Sequence, residues 1–451
     1  MKRIFLFLAI WSLTTSCKGP EGPQIIDGGG GGGKELPVVA SYATEDLSLA
    51  ATARDNWQIY QVNLKLYGTS GAFTKVQARL DAIQSLGTEI LYLMPVYKEG
   101  KKNAIGSPYC IQNFTEVNSS YGTLAELKAL VQAAHGKGMK VMFDWVANHT
   151  AWDHPWITEH PEWYEHKADG SIAWPTKDGE WKDVAQLDYS KNELWTAMID
   201  ALLYWVKELD IDGYRCDYAH GVRDDFWKEA ISQLKAQKPG FIMLAESDFE
   251  RMFNNGFDII FDRAMKSRMI TLYNSGNVPN FCTWYKEDQG KTPAPKTKLF
   301  FVTNHDDATE NTPASQFKSS DGALSAYVLM AALNGSALIY GSQETAYNQK
   351  INFFNTMNFD WNANSDYQKK YQSAMAALSK LNRSGAAKLY HSDKVVFVYY
   401  APTTSAKGGL VAVNVSGSSV SADFPQPVSG KGGVPTKQSF GAYQYQIWEI
   451  N

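Results

Sequence analysis

Several features that would narrow the class of this chain at once are missing. It has 4 cysteines in 451 residues. Cys17, Cys110, Cys216 and Cys282 are scattered, with no CxxC and no zinc-ligand spacing. That excludes a disulfide framework and a thiolate metal centre, and leaves free thiols as the default. Charge of one sign is also lacking. With 43 basic and 47 acidic residues, a net charge of -4, nothing points to nucleic acid as a partner. The apolar stretch that opens the chain, Ile4 to Leu13, is too short to cross a bilayer as a mature helix.

That opening stretch is informative in another way. Lys2 and Arg3 precede it, and Thr14-Thr15-Ser16-Cys17 follows. A basic start, a short apolar run and small residues make a secretory signal. The cysteine after small residues resembles a bacterial lipoprotein processing site, which implies Cys17 as the lipidated first residue of the mature protein. Residues 1–17 are therefore expected to be a lipoprotein signal peptide. Residues 18–36, rich in Gly and Pro and including six consecutive glycines, are expected to be a flexible tether. The expected location is secreted and lipid-anchored to the bacterial cell envelope, on the periplasmic or the surface face of an outer membrane.

Aromatic residues are plentiful at 13%, with 14 Trp and 24 Tyr. They serve either a well-filled core or stacking platforms for sugar faces. From about Leu36 the pattern turns globular. Apolar strands near Gln58–Leu64, Glu89–Pro95, Met139–Val146, Ile211–Cys216, Phe241–Glu246, Phe257–Phe261, Lys298–Thr303 and Ala337–Tyr340 alternate with amphipathic helical segments. Phe73 to Leu86 and Leu124 to His135 are the first two helices. Eight βα units over this span predict a (β/α)8 TIM barrel, residues 37–382. A long insertion after the third strand, residues 150–190, carries Trp152, Trp156, Trp163, Trp174 and Trp181 and is expected to wall one side of a cleft. Residues 383–451 read as short strands split by Gly, Ser and Pro clusters, hence a small all-β sandwich domain.

In such a barrel the active site forms at the carboxyl ends of the strands. The third strand presents Asp144 and then Asn148-His149. The fourth carries Arg215 and Asp217, two residues apart and so on one side of the strand. By themselves these two are equally a structural ion pair or a carboxylate held ionised for attack. The fifth strand ends in Glu246 after an apolar run, where desolvation raises a carboxyl pKa as a general acid requires. The seventh ends in His305-Asp306. Carboxylates converging from several strands, with no Cys/His ligand cluster, fit glycoside hydrolysis.

At this point the sequence resembles the alpha-amylase family of retaining glycoside hydrolases, from about Gln58 to the C-terminus. The resemblance rests on Leu91-Tyr-Leu-Met-Pro95, Asp144-Trp-Val-Ala-Asn-His149, Gly213-Tyr-Arg-Cys-Asp217, Glu246, Asn304-His-Asp306 and Gly335 to Glu344, in that family's order and on the expected strands. It implies Asp217 as nucleophile, Glu246 as acid/base and Asp306 as transition-state stabiliser. It also implies Tyr109, His149, Arg215 and His305 around the sugar at the cleavage point. The implied substrate is an alpha-glucan or maltooligosaccharide, cut at α-1,4 links with retention. The alternatives are an α-1,6-acting hydrolase, a transglycosylase, or a non-catalytic glucan-binding lipoprotein.

Many relatives also hold a structural calcium between barrel and insertion. Here Gln186 falls where an aspartate ligand is expected, and Gly221 where a histidine is expected. Asn148 remains, and Asp188 is a possible substitute. The expectation is no cofactor, with calcium surviving only if Asn148 and Asp188 suffice. The Lys-His pair that many starch-cleaving relatives carry after the nucleophile is replaced by His220-Gly221.

Overall fold

Eight parallel strands close on themselves in chain order. In the computed structural model, which describes residues 56–381, 383 and 387–451, they are Gln58–Val62 (β1), Ile90–Leu93 (β2), Lys140–Val146 (β3), Gly213–Asp217 (β4), Ile242–Ala245 (β5), Ile259–Phe261 (β6), Thr297–Phe301 (β7) and Ser336–Tyr340 (β8). The targeting segment with Cys17 and the tether lie outside the described residues. No helix among the described residues is long and apolar enough to cross a membrane.

The strands read as near-continuous apolar runs because both of their faces are buried. Inward side chains, among them Ile59, Met142, Leu244, Phe261 and Leu338, fill the barrel. Outward ones, among them Tyr60, Leu91, Phe143 and Ile260, join the main core against the helices. Gly213 opens β4 because a Cβ there would stand 2.5 Å from the Ile242 carbonyl oxygen. The bare backbone lets β4 and β5 approach at the register that later brings Asp217 beside Glu246. The helix Leu124–Gly136 starts on a capping box, Thr123 with Glu126.

One expected helix is two. Phe73 to Leu86 divides into Ala72–Ala78 and Leu80–Gln84 around Arg79, at φ -99° and ψ 0°. The cause is tertiary. The Arg79 guanidinium lies 4.0 Å from the Trp361 ring centroid and 3.4 Å from Glu344, both far along the chain.

The C-terminal strands are Lys388–Ser392 (β9), Val395–Tyr400 (β10), Gly408–Asn414 (β11), Val420–Asp423 (β12), Lys437–Phe440 (β13) and Tyr445–Ile450 (β14). They form a four-stranded antiparallel sheet, β9-β10-β11-β14, and a two-stranded sheet, β12-β13. Phe397, Leu410, Phe424 and Phe440 fill the space between the sheets. The other face of the larger sheet, with Val396, Val398, Val411 and Val413, joins the barrel core. The helix Ser320–Ala332 between the two is buried along most of its length, so its sequence is apolar all round.

The insertion after β3 is pinned by a short ribbon, His149–Ala151 against Val184–Gln186. Of its tryptophans, Trp163 belongs to the local core and packs edge-on against Trp156. Trp181 turns to the cleft, beside His149 and Tyr218.

Candidate active site

A cavity of about 240 Å³ opens at the carboxyl ends of the strands, and Asp217, Glu246 and Asp306 all line it. Tyr109, His149 and His305 line it too. Arg215 is fully buried beneath them. Every residue placed in the site from the sequence is therefore gathered there, except the possible calcium ligands.

Arg215 is the hub. Its strand neighbour in register is Asp144, and Nη1 lies 2.7 Å from Asp144 Oδ1 and 3.0 Å from Asp217 Oδ1. Nη2 lies 3.0 Å from Glu246 Oε2. One guanidinium thus draws three carboxylates together, and a planar fork with two amino groups is what this needs. Immediately after Asp217 the chain turns through Tyr218 at φ 43°. That left-handed backbone, costly for a bulky residue, aims the Tyr218 N–H at Glu246 Oε2, 2.8 Å away.

Two residues of the site escaped the sequence reading. Arg263, just past β6, brings Nη2 to 2.7 Å from Glu246 Oε1 and Nη1 to 3.2 Å from Asp248. Reading the end of β6 as the other strand ends were read would have raised it. Gln61, on β1, places Nε2 2.9 Å from His305 Nδ1. With Gln61 donating there, His305 Nε2–H donates to the Tyr109 hydroxyl at 2.8 Å, and that hydroxyl donates to Asp144 Oδ2 at 2.9 Å. Asp144 is accordingly a support beneath Arg215 rather than a lining residue. Burial pushes both His149 and His305 down to about 4, so both rings are neutral near pH 7 and act as hydrogen-bond partners.

The protonation states expected for the two central carboxylates are reversed. Burial pushes Glu246 up, but the Arg215 and Arg263 guanidiniums and the Tyr218 N–H outweigh it and hold the carboxyl at about 2. Burial raises Asp217 well above its ordinary value; Arg215 opposes this, and the charges of Glu246, Asp144 and Asp306 add to it. The reason is that Arg215 reaches both groups while Arg263 reaches only Glu246. Asp306 is pushed up to about 7 by burial and by the Glu246 charge, although half its side chain still faces the cleft. Carboxylates crowded this closely retain a proton among them near neutral pH, which is what acid-assisted chemistry requires.

The residues that would hold calcium do not fit a hard cation. Asn148 and Gln186 form a reciprocal amide pair, Asn148 Nδ2 to Gln186 Oε1 at 3.3 Å and Gln186 Nε2 to Asn148 Oδ1 at 3.2 Å. Gln186 Nε2 also donates to the backbone carbonyls of Asn148 and Leu187. An amide N–H group therefore occupies the oxygens a metal would take. Asp188 is turned to its own loop, accepting from the Ser190 N–H and hydroxyl at 2.9 Å each. Among the described residues no three His, Cys, Asp or Glu side chains gather as a metal-holding group. Dialysis against a chelator is therefore expected to leave the melting temperature and activity unchanged. Gln186→Ala is expected to lower stability by about 1–3 kcal/mol, the cost of stranding its buried partners, read by denaturant unfolding.

Comparison with known proteins agrees with the geometry. The family model "Alpha amylase, catalytic domain" matches residues 47–384. An alpha-1,4-glucan:maltose-1-phosphate maltosyltransferase of Rhodospirillum rubrum is 34% identical over 203 residues, 40% of this chain and 29% of that protein. The alpha-amylase MalA of Haloarcula japonica is 26% identical over 342 residues, 72% of this chain and 48% of that protein. The chain thus spans less than half the length of these curated relatives. Among solved structures, an alpha-amylase from Lactobacillus plantarum is similar at 29% identity and a TM-score of 0.79, covering 88% of this chain and 99% of that one.

Proposed function

Because the chain belongs to the alpha-amylase family, we propose that it hydrolyses α-1,4-glucosidic bonds in starch-derived glucans or maltooligosaccharides with retention of configuration. What carries this is the convergence of Asp217, Glu246 and Asp306 on one cavity above a shared guanidinium. Sharing Arg215 draws Asp217 and Glu246 together, in the direction of the roughly 5–5.5 Å spacing that retention needs.

Asp217 attacks the anomeric carbon while its bond to the leaving oxygen breaks, and Glu246 gives that oxygen its proton. The resulting ester at Asp217 is opened by a water whose proton returns to Glu246. Asp306 offers its charge and hydrogen bonds to the positively charged sugar between these steps. The proton retained among the carboxylates must lie on Glu246 before attack.

Arg263 then tunes the acid. A cation beside a carboxyl lowers its pKa, so its removal raises it. Arg263→Met is expected to move the alkaline limb of the kcat/KM–pH profile to higher pH, since Glu246 keeps its proton longer. An unmoved limb would assign Arg263 to structure alone.

The proposal is tested by incubating the protein with maltooligosaccharides, starch and pullulan and following the first-formed anomer by proton NMR. α-Anomers from starch and maltooligosaccharides support it. Selective cutting of pullulan at its branch-type links would favour α-1,6 action, and longer oligosaccharides would favour transglycosylation. We also propose, on the sequence alone, lipidation at Cys17 and hence a cell-envelope location. Incorporation of labelled palmitate into the wild-type chain, lost in Cys17→Ala, tests it.

A further inference from the structure

We infer that the cleft is closed on the side of the retained sugar, so that the enzyme works from the non-reducing end of its substrate. This rests on the hydrolytic function proposed above and specifies where along a chain it acts.

The direction follows from the barrel order. Glu246, at the end of β5, protonates the departing oxygen, so the leaving part of the substrate extends past the β5 rim. The retained sugars extend the opposite way. Strands β8, β1 and β2 are neighbours across the closed barrel from β5, so their loops decide how many retained sugars fit.

Those loops meet. The β2 loop reaches its tip at Ile105-Gly106-Ser107, and the β8 loop brings Phe353-Phe354 against it. Gly106 has φ +85°, and a Cβ there would stand 3.1 Å from the Phe354 carbonyl oxygen. The left-handed turn and that tight approach together favour glycine.

Lys65, following β1, bolts the two loops. Its Nζ donates to the Gly106 carbonyl at 2.6 Å and pairs with Glu99 at 3.1 Å. Its own carbonyl accepts from the Met357 N–H in the β8 loop at 2.9 Å. The Lys65 side chain is only 7% exposed, so these bonds are little weakened by solvent. On the cavity side, Phe353 packs edge-on to His305 and Tyr109, with ring centroids 4.9 and 5.9 Å away. Phe354 packs on Phe353 at 4.5 Å.

Ile105, Phe353 and Phe354 therefore form an apolar end wall beside the ring site of Tyr109 and His305. The cavity volume, about 240 Å³, is below the roughly 300–1,000 Å³ of ordinary small-molecule sites. On this inference it takes one sugar unit and part of a second, with Phe353 and Phe354 standing where a longer chain would continue.

The experiment compares 4-nitrophenyl maltoheptaoside with the same compound capped at its non-reducing end by a 4,6-ethylidene group, products being resolved by chromatography. The expected result is a kcat/KM for the capped compound at least about tenfold below that of the free one, equivalent to about 1.4 kcal/mol. Glucose or maltose should be the first product from the free one. Phe354→Ala, which shortens the wall, should narrow the gap. Equal rates with mid-chain products would overturn the end-acting inference while leaving hydrolysis intact. A gap that Phe354→Ala does not narrow would overturn the assignment of the wall. Cleavage of neither compound would overturn the hydrolytic function itself, and the inference with it.

Discussion

Asp217→Asn is expected to lower kcat by roughly 10⁴-fold while the fold is kept. An amide of the same shape cannot attack the anomeric carbon, and losses of this order are usual when a covalent nucleophile is removed. Much of the interaction with Arg215 is lost too, but Asp144 and Glu246 still compensate that guanidinium. Stability should therefore change far less than activity.

The sharper test is stereochemical. In Asp217→Ala, azide can enter from the face the carboxylate occupied and displace fluoride from an α-glucosyl or α-maltosyl fluoride. The expected product is the β-azide. In Glu246→Ala the ester at Asp217 still forms from the fluoride, and azide opens it from the other face to give the α-azide. Opposite products from the two variants would fix the two roles. The same product from both would mean they are wrongly assigned.

Arg215→Leu is expected to have the largest effect on stability, a loss of about 3–5 kcal/mol, typical when one partner of a buried ion cluster is removed. Arg215 is fully buried and faces Asp144, Asp217 and Glu246 within 3.0 Å. Without it, Asp144 keeps only hydroxyl donors from Tyr92 and Tyr109. The pH dependence has a definite sign. Burial already raises Asp144 and Asp217 above their ordinary values, and removing the cation raises them further. A carboxyl raised in the folded state binds more protons folded than unfolded, so stability falls as pH rises from the unfolded value of about 4 toward the folded one. The deficit of Arg215→Leu should therefore be smaller at pH 5 than at pH 8 in denaturant unfolding. Adding Asp144→Asn should recover part of it, since the stranded charge is then gone.

Several of these residues were legible beforehand because the barrel makes strand ends and active site the same place. Glu246 directly follows an apolar run and Asp306 lies a few residues past one, each run marking a strand buried on both faces, while Asp217 closes a strand marked by its Gly-Tyr-Arg-Cys-Asp motif. Their charges were not legible. Arg215 beside Asp217 in sequence suggested a private pair, yet the guanidinium is shared with Asp144 and Glu246, and Arg263 arrives from a strand two further along the barrel. A pKa depends on every charge within a few ångströms, whatever its separation along the chain. Likewise Gln186 and Gly221 indicated that calcium ligands were missing, but not that an amide pair with Asn148 fills the place.

By itself the sequence determined the architecture, through the alternation of strand and helix periods, and most of the residues that meet at the strand ends, through the motifs that follow each strand. These are local patterns, set by which side chains can be buried on a sheet or a helix face. Tertiary structure alone decided which charges surround each carboxylate, what replaces the metal ligands, and where the cleft ends. Each of those depends on groups brought together from different strands and loops: Arg263 onto Glu246, Gln186 onto Asn148, and Gly106 against Phe354 with Lys65 between their loops.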